Sequence, residues 1–183
     1  RILLSGGGRK NKLLKDILYK VNLDLIHGDR DIRISHLCFD SREVEKGSLF
    51  IAINGTLSDG HDFIEMAINS GASAIVCEKL PLNINEAVVY VLVKDSSKAL
   101  GHISANFYDN PSEKIKLVGV TGTNGKTTVA TLLHSLYQSL GHKSGLLSTV
   151  VYKIGSATYE ATHTTPDAIR LNGMLREMVD SGC

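Results

Sequence analysis

The chain has 183 residues, 43% of them hydrophobic and 21% charged, with 20 Lys and Arg against 19 Asp and Glu. That is a globular balance with room for one domain or two small ones. A net charge of +1 excludes attraction of the whole chain to nucleic acid or an anionic membrane, and no apolar run approaches the ~18 residues of a membrane span.

Charge is uneven along the chain. Residues 1–20 hold Arg1, Arg9, Lys10, Lys12, Lys15 and Lys20 against Asp16 alone, which reads as a solvated head. "LLSGGGRKN" (3–11) lacks the G-x-G-x-x-G spacing of a dinucleotide loop, so residues 1–11 read as a leader or vector remnant. Only three apolar residues follow Arg1, too few for a signal peptide. Cys38, Cys77 and Cys183 are far apart and lack metal-ligand spacing, as in a reduced, cytosolic protein.

Leu13, Leu14, Ile17, Leu18 and Val21 predict a short helix within 12–26. "IRISHLCFDSRE" (32–43) alternates like a strand and ends in a polar Asp-Ser-Arg turn. "GSLFIAI" (47–53) predicts a second strand. In "DGHDFIEMAINSG" (59–71), Phe63, Ile64, Ala67 and Ile68 share one helical face, and Gly71 stops the helix. Asp59 and His61 suggest a metal pair, but without a third ligand they read as loop bracing. "ASAIVCE" (72–78) and "AVVYVLV" (87–93) are β-branched runs of the buried-strand kind. "SSKALGHISANFYDNP" (96–111) predicts a helix capped by serines and ended by Asn110-Pro111. His36, His102 and His134 lie singly within elements and read as structural.

These elements make a small α/β domain over 12–110, with a second domain from 111 to 183. "IKLVGV" (115–120) predicts a buried strand, "TGTNG" a turn, and Val129, Leu132, Leu133, Leu136 and Leu140 the apolar face of a helix ended by Gly141. Residues 143–161 predict a strand and a hairpin through Gly155-Ser156. Thr165 as N-cap and Pro166 at the first helical position open a helix over 166–180. One hairpin and two βα units fall short of the five or so strands of a doubly wound sheet, so the second domain is expected to be incomplete.

A strand, glycine turn and helix suit a phosphate. Free N–H groups at the helix start converge on the anion, and Gly122 and Gly125 permit the turn. Lys126 can reach the β- and γ-phosphates, and the Thr127 hydroxyl can coordinate Mg²⁺. The usual loop, G-x-x-x-x-G-K-[ST], wants a glycine where this chain has Val120.

"TGTNGKTT" (121–128) resembles the shortened phosphate loop of the Mur ligase superfamily, in which that glycine is not expected. Residues 40–78 resemble the UDP-binding domain of its muramyl-peptide ligases. "HTTPDA" (163–168) is similar to the branch that adds the third residue of the peptide. The resemblance implies an α/β fold: a UDP-binding domain over 12–110, then the start of a P-loop-type, parallel-sheet ATPase domain over 111–183. It implies an ATP- and Mg²⁺-dependent amide ligase acting in the cytoplasm, without nucleic-acid or membrane partners. The substrates implied are UDP-MurNAc-L-Ala-D-Glu and a diamino acid, meso-diaminopimelate or L-lysine, joined through an acyl phosphate.

By the same resemblance, Gly122, Thr123, Asn124, Gly125, Lys126, Thr127 and Thr128 hold ATP. Lys126 serves the phosphate and Thr127 the Mg²⁺. Phe39 and Ser41, with Thr56, Leu57 and Ser58, contact the uridine part, and His163, Thr164 and Thr165 meet the muramoyl-peptide end. Ser41 and Arg42 read alternatively as a strand-end cap, and Thr165 as a helix cap. The family's later acidic Mg²⁺ ligand, modified lysine and amino-acid-binding domain are expected beyond Cys183, so the chain alone is expected to be inactive. Other readings are a D-Ala-D-Ala-adding or folylpolyglutamate-like relative, and a non-catalytic nucleotide-binding module.

Overall fold

The computed structural model describes residues 11–55, 58–155, 157–160 and 166–183, leaving out the side chain of Glu160. The chain divides into two compact units, one ending at Phe107 and the other containing Tyr108–Cys183.

In the first unit, β1 (Lys12–Leu13) and α1 (Leu14–Ile17) open the described chain, followed by β2 (Leu25–His27), β3 (Arg33–Ile34) and β4 (His36–Cys38). Then come β5 (Ser48–Ile51), α2 (Ile64–Asn69), β6 (Ala72–Cys77), β7 (Val89–Leu92) and α3 (Ser96–Phe107). The main sheet has the order β2-β7-β6-β5-β4, and its last four strands are parallel. β2 closes one edge antiparallel to β7.

The apolar runs read from the sequence are the central strands. Phe50, Ile75 and Tyr90 are fully buried and pack with Cys38, Ile64 and Ala67 on one face. Strand alternation sends Leu49, Ile51, Ala74 and Val76, also buried, to the other. Each large side chain removed from water here contributes about 1.5–3 kcal/mol. Burial pushes the Cys38 thiol up to about 12 and the Cys77 thiol up to about 11, so both are inert as nucleophiles.

Three expectations for this unit change. The helix expected within 12–26 is only α1, because Lys20 takes a positive φ of 57° and the chain then extends into β2. The single strand expected over 32–43 is two short strands and a 3-10 turn, Ser41–Glu43. The cap of α3 is Asp95 rather than a serine: its carboxylate accepts the Lys98 N–H at 2.8 Å.

The second unit contains α4 (Lys126–Ser139), β8 (Gly145–Leu147), β9 (Val151–Ile154), β10 (Ala157–Glu160) and α5 (Ala168–Asp180). The three strands form an antiparallel sheet in the order β10-β9-β8, with Ile154 paired to Ala157; Ser156 of the expected hairpin turn lies outside the described residues. Ile154, Leu175 and Met178 form its core. α5 begins two residues later than expected. Asp167 caps it by accepting the Arg170 N–H at 2.9 Å, which leaves Pro166 before the cap.

Residues 115–120 are not a strand, and no described strand pairs with them. Leu117 and Val118 are 60% and 68% exposed. The predicted face of α4 is open as well: Leu132 and Leu140 are more than 60% exposed, and the one buried residue of the helix is His134. A β-branched run becomes a strand only where neighbouring strands accept from its N–H groups and donate to its C=O groups, and the described residues supply no such strand.

His134 instead packs toward β8, its Nδ1 2.9 Å from the Ser144 hydroxyl. Burial, then Lys153, pushes its pKa down. The unfolded chain therefore takes up a proton at higher pH than the folded one. Stability held above the ordinary histidine value of about 6.5 is lost as pH falls through it, until His134 also protonates in the folded state. Thermal midpoints measured between about pH 7 and 5 should fall more steeply in the unsubstituted protein than in His134→Gln.

Candidate functional site

Parallel pairing brings the carboxyl ends of β4, β5 and β6 to one edge of the sheet, where open α/β sheets bind ligands. Three polar devices shape that edge. After β4, the Asp40 carboxylate accepts the Arg42 N–H at 2.9 Å, Arg42 Nε at 2.9 Å and Nη2 at 2.6 Å. Those bonds, guanidinium first, hold the Asp40 carboxyl below its usual range. The turn they fix leaves Phe39 39% exposed and tucks Ser41 away at 9%.

After β5, the chain loops out and returns. Asn54 pairs with Asp59, and the Gly55 N–H donates to the Ser58 carbonyl at 3.1 Å. Gly60 closes the loop by donating its N–H to the Ile53 carbonyl at 2.8 Å. Asp59 then accepts the His61 backbone N–H at 3.0 Å and approaches the ring Nδ1 at 2.6 Å, which hold its carboxyl below the usual range.

At the end of β6, the Glu78 N–H donates to His61 Nε2 at 2.8 Å, and the Glu78 carboxylate accepts both the N–H and the hydroxyl of Ser96 at 2.9 Å. The sequence signal for this network was the Asp-Gly-His triplet. What it did not disclose was the partner, Glu78, 17 residues further on.

Phe39, Ser41 and Ser58 therefore share one sheet edge. Thr56, Leu57, His163, Thr164 and Thr165 lie outside the described residues. The bracing reading of Asp59 and His61 agrees with their bonds, and among the described residues no three His, Cys, Asp or Glu side chains cluster as metal ligands.

The second site is residues 121–128, all exposed. Gly122 and Gly125 take φ values of +146° and +75°. Gly125 is the N-cap of α4, where the Val129 N–H donates to its carbonyl at 2.9 Å. No side chain caps this end, so the first N–H groups of α4 stay open toward an anion. Lys126 Nζ donates to the carbonyls of Gly122 at 2.5 Å and Thr123 at 3.2 Å, placing its charge beside the turn.

These features fit a nucleotide phosphate, and the exposed Thr127 could give a divalent cation one hydroxyl ligand, with phosphate and water supplying the rest. A Cβ on Gly125 would meet nothing within 4 Å, so the glycine is required for its dihedral and not for space. Gly125→Ala should cost about 1 kcal/mol of stability through that positive φ, read from the urea midpoint.

Two family models match the chain: "Mur ligase family, catalytic domain" over residues 33–108 and "Mur ligase middle domain" over residues 120–183. Among curated proteins, it is 56% identical to the UDP-N-acetylmuramoyl-L-alanyl-D-glutamate--2,6-diaminopimelate ligase of Cytophaga hutchinsonii over 171 residues. It is 49% identical to the protein of the same name from Bacteroides fragilis over 170 residues. Each match covers 93% of this chain and 35% of the relative, so the chain spans about a third of the relatives' length. Among solved structures, a UDP-N-acetylmuramoyl-L-alanyl-D-glutamate--2,6-diaminopimelate ligase matches with a TM-score of 0.73 at 24% identity, over 95% of this chain and 34% of that one. A UDP-N-acetylmuramoylalanyl-D-glutamyl-2,6-diaminopimelate--D-alanyl-D-alanyl ligase from Acinetobacter baumannii matches with a TM-score of 0.61 at 21% identity, over 94% of this chain and 35% of that one. At those identities the structures speak for the fold alone.

Proposed function

The chain belongs to the Mur ligase family, and on that premise we propose that it carries the UDP-substrate and ATP-binding parts of a peptidoglycan-precursor ligase. The reaction is ATP-dependent addition of a diamino acid to UDP-MurNAc-L-Ala-D-Glu in the cytoplasm. The curated relatives' names favour 2,6-diaminopimelate over L-lysine. Residues 12–110 form the UDP-substrate domain and 111–183 the start of the ATP domain. The observation that carries the reading is the exposed, glycine-turned loop with open amides and Lys126, in one chain with the Asp-Ser-Arg sheet edge.

The residues divide the work. Phe39 offers an exposed ring to stack on uracil, and Ser41, Thr56, Leu57 and Ser58 border the nucleoside. The amides of Gly122–Thr128 and the Lys126 ammonium neutralise phosphate charge, and the Thr127 hydroxyl would hold a Mg²⁺ ion, which would supply further positive charge against the phosphates. Contact with the muramoyl-peptide end falls to His163, Thr164 and Thr165 by family resemblance. The D-Glu carboxylate takes the γ-phosphoryl group as ADP leaves. The amine of the diamino acid then attacks the acyl carbon and expels phosphate. Such chemistry asks the protein for positioning and charge neutralisation rather than a nucleophile.

Mass spectrometry tests this directly. The full-length protein, given ATP, Mg²⁺ and UDP-MurNAc-L-Ala-D-Glu, should form the UDP-tripeptide with 2,6-diaminopimelate. Absence of product with either that acid or L-lysine, in folded protein, rules the reading out.

A further inference from the structure

We propose that His61 is a positioning residue for nucleotide recognition, pinned between Asp59 and the Glu78 amide so that it fixes the Ser58 end of the loop to the end of β6. This rests on the UDP-binding reading above. Both ring nitrogens are engaged: Nδ1 lies 2.6 Å from Asp59 Oδ1, and Nε2 lies 2.8 Å from the Glu78 nitrogen. A backbone N–H can only donate, so Nε2 must accept and the ring proton must sit on Nδ1, where the Asp59 carboxylate receives it. The imidazole thus has no nitrogen left for a metal or for substrate. What it does is join two segments 17 residues apart.

The surroundings leave this join little slack. The His61 side chain is 14% exposed. A Cβ on Gly60 would sit 2.7 Å from both the backbone nitrogen and the carbonyl oxygen of Ile53, so the chain can enter the join only through a glycine. Beyond it, the Glu78 carboxylate holds the first residue of α3 through Ser96. One ring therefore ties the β5 loop to the end of β6 and, through Glu78, to the start of α3. Ser58 lies one residue before Asp59, and β4, which leads into Phe39 and Ser41, pairs in parallel with β5. Loosening the ring should displace Ser58 relative to those contacts while leaving residues 121–128 untouched.

Two amide variants separate the links. His61→Asn keeps a donor near the Nδ1 position for Asp59 and loses the Glu78 contact. His61→Gln keeps an acceptor near Nε2 for the Glu78 amide and loses the Asp59 contact. In the full-length protein, calorimetric titration with UDP should show each variant binding about tenfold more weakly, the scale of one buried hydrogen bond, with ADP affinity unchanged. Ring ¹⁵N shifts of the unsubstituted protein should show the proton on Nδ1.

The role is overturned if both variants bind UDP as tightly as the unsubstituted protein, if the proton sits on Nε2, or if UDP and ADP affinities fall together, as for a residue that merely supports the fold. If the unsubstituted protein takes up no UDP, the nucleotide reading itself fails and the positioning role with it. Equal UDP binding with and without the imidazole removes the positioning role alone.

Discussion

Replacing Lys126 with alanine should lower ATP-dependent ligation by the full-length protein about 10²–10³-fold, the scale of removing one preorganised charge-stabilising donor. The fold should survive. The Lys126 side chain is exposed, and its bonds are to two carbonyls of its own loop, Gly122 and Thr123, so its loss empties no core. Circular dichroism and the urea midpoint should match the unsubstituted protein to within about 0.5 kcal/mol, as for a surface change. Initial rates of ADP release, followed over a range of ATP concentration, should collapse. Undiminished turnover would remove Lys126 from the phosphate site. Loss of folded signal would mean that it holds the loop together instead.

The second large effect is on stability and sits at the other site. Gly60→Ala should destabilise the chain by about 1–3 kcal/mol, the cost of forcing atoms into a filled space. The obstacle is the Ile53 backbone, which cannot rotate away as a side-chain end could. Gly101→Ala is the matched control. It lies within α3 with nothing inside 4 Å of a new Cβ, so the same chemical change should stabilise by about 0.5–1 kcal/mol through the helix. Opposite shifts of the urea midpoint are the expected pair of results. An unshifted Gly60→Ala midpoint would mean that the β5 loop is free to move away from Ile53.

Much of the first unit was legible because its strands are local signals. "ASAIVC" and the run around Val89–Leu92 are β-branched and bounded by polar turns, and both are central strands. β2 was not legible. It is a three-residue edge strand with Leu25 exposed, and only its pairing with β7, more than 60 residues away, makes it a strand. Helix starts shifted for a different reason. Several residues near each start could cap, and Asp95 and Asp167 made the bonds expected of Ser96 and Thr165.

The largest disagreement is at 115–120 and on α4, where periodicity indicated burial and the structure shows exposure. Periodicity reports which face wants a partner, not whether the described residues supply one. At the sites, residue types were readable and their ties were not. Gly122, Gly125 and Lys126 stood out by spacing, and the structure adds the positive φ values and the bonds of Lys126 to its own loop. The Asp40–Arg42 lock and the His61–Glu78 join depend on side-chain geometry that no spacing rule contains.

Hydrogen–deuterium exchange of the full-length protein measures directly the backbone amides of Gly122–Thr128 proposed to receive the phosphates of ATP. On adding ATP and Mg²⁺, peptides spanning 120–129 should become protected while those spanning 39–61 stay unchanged, and UDP should produce the reverse. A protein that ligates with ATP yet shows no protection over 120–129 would mean that these amides do not receive the phosphates.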